Sequence, residues 1–186
     1  MTRLETARLT LRPLELDDLD DFAEMMSHPD VYPMMGFGRE PDGTERARTL
    51  EERRPRIAYR VAQFQWEGFG EWAVVMRETG AFAGMVGLQF YPLDQGAFAT
   101  PEVELFYGLK REWWDHGIMR EATEAIVRYA IETLKQRRLT SVCFSENERS
   151  ANVMCRVGMT GGPHPGNPDG EMLDVLENPS LSAQPA

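Results

Sequence analysis

Apolar and polar positions alternate from Leu9 to Leu16 (LTLRPLEL), the period of a half-buried strand. The period then lengthens. Leu19, Phe22, Ala23 and Met26 fall at helical spacing behind Asp17 and Asp18, two residues suited to capping a helix, and His28-Pro29-Asp30 stops it. Thr44–Phe64 predicts a second helix, interrupted at Pro55, with arginines and glutamates interleaved as on a solvated face. Glu71–Arg77 and Phe82–Tyr91 read as the two arms of a hairpin around Glu78-Thr79-Gly80. Glu102–Leu109 is the next strand. The clearest helix starts near Gly117, where Ile118, Ala122, Ala125, Ile126, Tyr129, Ala130, Thr133 and Leu134 trace one stripe. Thr140–Ser145 predicts a strand and Arg149–Val157 a short helix ended by Gly158. The Gly/Pro-rich stretch Gly161–Gly170 predicts a loop, Met172–Leu176 a short last strand, and residues 178–186 a polar tail. The order β-α-α-β-β-β-α-β-α-β is mixed α/β, and the length fits one domain over residues 1–177.

Composition narrows the class. A formal net charge of −10 argues against general nucleic-acid binding, which needs a basic face. No apolar run reaches membrane-spanning length and the first residues lack an apolar signal region, so a cytoplasmic protein is expected. Cys143 and Cys155 form neither a metal cluster nor a disulfide framework, and His116 and His164 have no partners at ligand spacing. No metal is expected.

The candidate chemistry lies in WWDHGIMREA (residues 113–122) and in the Asn147-x-x-Ser150 pair. Gly117 stands where a strand hands over to a helix. A glycine there lets backbone approach a ligand, and the unpaired N–H groups of the helix's first turn attract an anion such as a phosphate. Asn147 and Ser150 read first as caps of the short helix. A strand–loop–helix cradle followed by a short Asn/Ser-capped helix suggests a nucleotide-linked cofactor, here coenzyme A. Glu102 and Glu104 share a strand face by period-two alternation, so either could accept a proton. Both also fit ordinary exposed strand positions.

These segments, in this order, resemble the GNAT superfamily of acyl-CoA-dependent N-acyltransferases, and within it the RimJ/RimL branch. The resemblance rests on ETARLTLRPLELDDLDDFAEMMSHPDVYPMMG, on EWAVVMRETGAFAGMVGL, and on the run from Val103 through Met159. It implies a mostly antiparallel, mixed, twisted sheet flanked by helices, with a splayed strand pair forming the cofactor cleft. It implies acetyl transfer from acetyl-CoA to a primary amine, either a protein N-terminus or a small molecule, by direct attack on the thioester. Pantetheine would bond backbone at Tyr107, Gly108 and Leu109. His116, Gly117, Ile118, Met119 and Arg120 would hold the pyrophosphate. Asn147 would bond the pantetheine arm, Ser150 would face the sulfur, and Glu104 would be the base. The family's loop, Arg/Gln-Gly-x-Gly-x-Gly/Ala, is represented here by residues 114–119 with only Gly117 retained. Asp115 can adopt left-handed backbone better than most residues but would put negative charge near the pyrophosphate, Met119 would bring bulk to the cradle, and Met154 replaces a tyrosine acid common in the family. Those departures define the alternative, a non-catalytic acyl-CoA-binding or protein-interaction module. A homodimer through an exposed strand edge is a further expectation.

Overall fold

The structure, a computed structural model, describes residues 2–35, 49–91, 97–98 and 100–180; the predicted loop at 36–43 and the first residues of the predicted second helix lie outside them. The fold is mixed α/β, with a mostly antiparallel sheet flanked by helices. Two compact units form. One comprises Met1–Gly87 with Tyr107–Ala122, and the other Leu88–Phe106 with Thr123–Ala186.

In the first unit, β1 (Leu4–Glu5), β2 (Leu9–Pro13), β3 (Glu71–Met76) and the start of β4 (Phe82–Phe90) pair antiparallel in sequence order. The predicted first strand ends three residues early, because Leu14 begins the turn into α1 (Leu19–Met25). Asp18 does not cap that helix with its side chain. Its carboxylate instead grips Arg12 through two hydrogen bonds of 2.7 and 2.6 Å and accepts the Glu15 N–H. A bidentate, charge-assisted pair outcompetes a cap bond. Helix α2 (Leu50–Glu67) begins at a capping box between Thr49 and Glu52 and continues through Pro55. Proline there removes one N–H donor without ending the helix, so the predicted interruption does not occur. Leu9, Leu11, Phe22, Met25, Trp72, Val74 and Ile118 fill this unit's core.

In the second unit, β5 (Val103–Leu109) enters beside β6 (Arg138–Phe144), and β6 pairs antiparallel with β8 (Asn167–Glu177), which pairs with β7 (Thr160–His164). Helix α3 (Ile118–Arg128) begins in the first unit, where Ile118 and Ala122 are buried, and in the second buries Ile126 and, within the π-turn Tyr129–Thr133, Ala130. Thr133, placed on the predicted stripe, is exposed because the wider π-turn rotates the face. Helix α4 (Glu148–Arg156) covers β6 with Met154 fully buried.

The loop expected at Gly161–Gly170 does not form. Its residues form β7, a two-residue turn and the first part of β8, so the last strand has 11 residues. Glycine is required at Gly161, where a Cβ would stand 1.9 Å from the Leu173 carbonyl oxygen. Pro163 is tolerated because β7 is an edge strand. His164 locks the turn: its Nδ1 accepts the Gly166 N–H at 2.9 Å, leaving Nε2–H to donate to the Tyr91 hydroxyl at 2.5 Å.

Candidate functional site

In the first unit, residues 109–121 form a compact turn. The Trp114 indole N–H donates to the Leu109 carbonyl at 3.1 Å, and Arg111 lies 4.8 Å over the Trp114 ring. The His116 ring Nδ1 lies 2.6 Å from the Trp114 carbonyl, which can only accept, so Nδ1 is the protonated nitrogen. Asp115 and Gly117 both take left-handed backbone, with φ of 63° and 70°. Aspartate tolerates that conformation better than most residues and glycine adopts it freely. The Gly117 carbonyl accepts the Glu121 N–H, so Gly117 caps α3. The N–H groups of Gly117 and Ile118 have no protein partner among the described residues. They stand at the positive end of an 11-residue helix, the chemistry an anionic group requires.

Ile118 and Met119 point inward and are buried. The bulk expected of Met119 therefore sits in the core. His116 and Arg120 are exposed. At the end of β5, Gly108 is buried against Met35, whose sulfur would lie 2.8 Å from an added Cβ, and the Lys110 N–H donates to Ala83. Tyr107 and Leu109 are half-buried beside it.

In the second unit, the β5–β6 ladder holds two parallel pairs, Val103↔Leu139 and Glu104↔Thr140. No further pair forms among the described residues. The Ser141 hydroxyl instead donates to the Leu105 carbonyl at 2.8 Å. Glu104 thus marks the point where pairing stops, the behaviour expected of a splayed pair. Its carboxylate is half-buried and accepts the Gln89 amide at 2.7 Å. Glu102 has a different fate. It precedes the strand, is 4% exposed, and receives Arg137 at 2.7 Å, Arg138 at 3.3 Å and the Thr100 hydroxyl at 3.0 Å. These bonds commit Glu102 to structure.

Asn147 is the N-cap of α4. Its Oδ1 accepts the Ser150 N–H at 3.1 Å, as the capping reading expects, which leaves its amide N–H donors directed elsewhere. The Ser150 hydroxyl is hydrogen-bonded to the Cys143 thiol. Burial, reinforced by the negative charge of Asp174, pushes that thiol up to about 11 against the opposing Ser150 bond. Asp174, across the ladder from Ser141, has its own carboxyl held above the ordinary range by burial. Neither Cys143 nor Asp174 stood out in the sequence. Cys143 shares the inward strand face of Ser141, a period-two signal, but Asp174 lies on a strand hidden by its glycine- and proline-rich start. Cys155 is exposed on α4. Among the described residues no three His, Cys, Asp or Glu side chains group as metal ligands, and no helix is long and apolar enough to cross a membrane.

Comparison with known proteins bears on the family and the fold. An acetyltransferase (GNAT) domain family matches residues 8–160. An FsC-acetyl coenzyme A-N(2)-transacetylase of Aspergillus fumigatus is 28% identical over 181 residues, covering 91% of this chain and 73% of its own. The crystal structure of an acetyltransferase from Agrobacterium tumefaciens superposes with a TM-score of 0.77 at 26% identity, covering 95% of each chain. RimL, a ribosomal-protein α-N-acetyltransferase solved with coenzyme A, shares the fold with a TM-score of 0.73 at 14% identity, covering 95% of this chain and 98% of its own. With its family model spanning most of its length, the chain belongs to the GNAT acetyltransferases and is an acyl-CoA-dependent enzyme of that family.

Proposed function

We propose that this protein transfers an acetyl group from acetyl-CoA to a primary amine, a protein N-terminus or a small amine, as a RimJ/RimL-like enzyme of the cytoplasm. The observation that carries this reading is the left-handed turn at Gly117. It leaves the Gly117 and Ile118 N–H groups without a partner among the described residues at the mouth of α3, where a pyrophosphate would be held. His116, Met119 and Arg120 belong to the same turn and supply its remaining backbone. Pantetheine is assigned to the β5 backbone at Tyr107, Gly108 and Leu109 and to the Asn147 amide. Residues 1–177 are assigned to one catalytic domain, which the family match across both compact units supports.

The amine must be neutral to attack. An N-terminal amine titrates near 7.7–8.0, so a modest base near that pKa suffices. Glu104 takes the proton, and the Gln89 amide fixes the direction of its carboxylate. Nitrogen bonds to the acetyl carbon, the carbon–sulfur bond breaks, and the leaving thiolate takes a proton from the Ser150 hydroxyl, which turns from Cys143 to donate it and is re-protonated by water. A backbone N–H near Tyr107 or Gly108 stabilises the developing oxyanion. Release of free CoA thiol should be followed with a panel of peptide N-termini and small amines, in the wild type and in Glu104→Gln. Turnover that falls about 10²-fold or more in the variant supports the assignment, in line with the usual worth of a general base. Equal turnover by both proteins removes Glu104 from the mechanism, and no turnover with any amine favours a binding module.

A further inference from the structure

The cradle loop is held from below by a residue that no motif of the chain singles out. Arg8 stands at the entrance to β2, far from residues 116–121 in sequence. Its Nε donates to one Glu121 oxygen at 2.7 Å, and its own backbone N–H donates to the other at 2.8 Å. The Thr6 hydroxyl donates to that second oxygen at 2.6 Å. Arg8 Nη1 then reaches the His116 carbonyl at 3.0 Å. Arg8 Nη2 lies 3.7 Å from where a Gly117 Cβ would stand. One side chain therefore touches both the turn and the first helical turn behind it. Burial works to raise the Glu121 carboxyl, but the hydrogen bonds from Thr6 and Arg8 and the Arg8 charge outweigh it and hold the group below the usual carboxylate range.

The consequence follows from peptide geometry. In a trans peptide the C=O and the N–H point in opposite directions across a rigid plane. No cis peptide occurs here. Fixing the His116 carbonyl toward Arg8 therefore aims the Gly117 N–H the other way, at the open side of the turn. The loop lacks the flanking glycines of its family, so its backbone needs an outside constraint to hold that direction.

Resting on the acetyl-CoA reading above, we infer that Arg8, acting through Glu121 and the His116–Gly117 peptide, is a positioning residue that aims the cradle N–H groups at the pyrophosphate of the acyl donor. Two of the guanidinium nitrogens, Nε and Nη1, are engaged by protein acceptors, Glu121 and the His116 carbonyl.

The test uses two donors and two variants of the full chain. Acetyl-CoA carries the pyrophosphate, whereas S-acetylpantetheine carries the same thioester and arm without it. Arg8→Met removes every side-chain donor. Arg8→Lys keeps the charge but can satisfy only one of the two acceptors. In Arg8→Met, kcat/KM for acetyl-CoA should fall at least ~10-fold through KM, the worth of about one well-placed hydrogen bond to a charged group. The value for S-acetylpantetheine should stay within about 2-fold. Arg8→Lys should recover part of the loss. Equal losses for both donors would mean general damage to the fold, and no loss for either would mean that the turn holds itself; either result overturns the inference. Should Arg8→Met not fold, the Arg8→Lys comparison decides by the same donor ratio. A wild type inactive with both donors overturns the acetyl-transfer reading and this inference with it, an outcome distinct from a selective failure of the variants.

Discussion

Replacing Gly117 with alanine isolates one physical quantity at the proposed cradle. The residue has φ of 70°, and an added Cβ would meet nothing nearer than Arg8 Nη2 at 3.7 Å, an ordinary contact. Space is therefore not the issue, and the cost is left-handed backbone alone. That conformation costs an L-residue roughly 1–2 kcal/mol. Alanine also restricts the unfolded chain, which returns about 0.4–1 kcal/mol. The expected net loss is about 1 kcal/mol, read by denaturant unfolding as a shift in midpoint with unchanged slope, or as a fall of about 2–4 °C in Tm. Gly117→Asn should lose less, because asparagine enters left-handed backbone more readily. Gly84→Ala is the contrast. Its Cβ would lie 2.2 Å from the Gly108 carbonyl oxygen and 2.8 Å from the Leu109 Cα, both backbone atoms that cannot swing away. That variant should lose several times more, at or above the upper end of the ~1–3 kcal/mol seen for overpacking. A Gly117→Ala protein as stable as the wild type, or as damaged as Gly84→Ala, would refute this reasoning.

Two further outcomes are expected. Gly161→Ala should disrupt the β7–β8 hairpin, since its Cβ would fall 1.9 Å from the Leu173 carbonyl, and amide exchange along β8 should accelerate well before global unfolding. Cys143, with its thiol pushed up to about 11, should hold only about 0.1% thiolate at pH 8, against roughly 20% for an ordinary thiol near 8.5. Its alkylation by iodoacetamide in the native protein should then be at least ~100-fold slower than in the unfolded chain and should rise steeply toward pH 10; fast native labelling at pH 8 would contradict the buried, Asp174-facing environment.

The parts of the fold that sequence displays are those whose periodicity and burial agree. Leu9–Pro13, the Glu71–Phe90 hairpin and the Ile118–Ile126 stripe each bury the residues their pattern predicts. The β7–β8 hairpin was hidden for the opposite reason. Glycine and proline lower strand propensity, yet at Gly161 the absent side chain is what lets β8 approach. Pairing across the sheet overrode local preference. The site divides in the same way. Gly117 and Asn147 are legible because turn and cap chemistry are local. Glu102 was indistinguishable from Glu104 by spacing, and only the arrival of Arg137 and Arg138 marks Glu102 as a structural carboxylate. Arg8, Glu121 and the Cys143–Ser150–Asp174 cluster join residues distant in the chain, which no spacing rule reaches.

Calorimetric titration with acetyl-CoA, comparing the wild type with Asn147→Ala, tests the central claim most directly. The Asn147 side chain caps α4 and is assigned to the pantetheine arm. Its loss should cost about 1 kcal/mol of stability and, separately, weaken acetyl-CoA binding about 5- to 10-fold at a temperature where both proteins remain folded. Binding by the wild type that weakens in the variant is the predicted result. Absence of binding by both proteins would contradict the account.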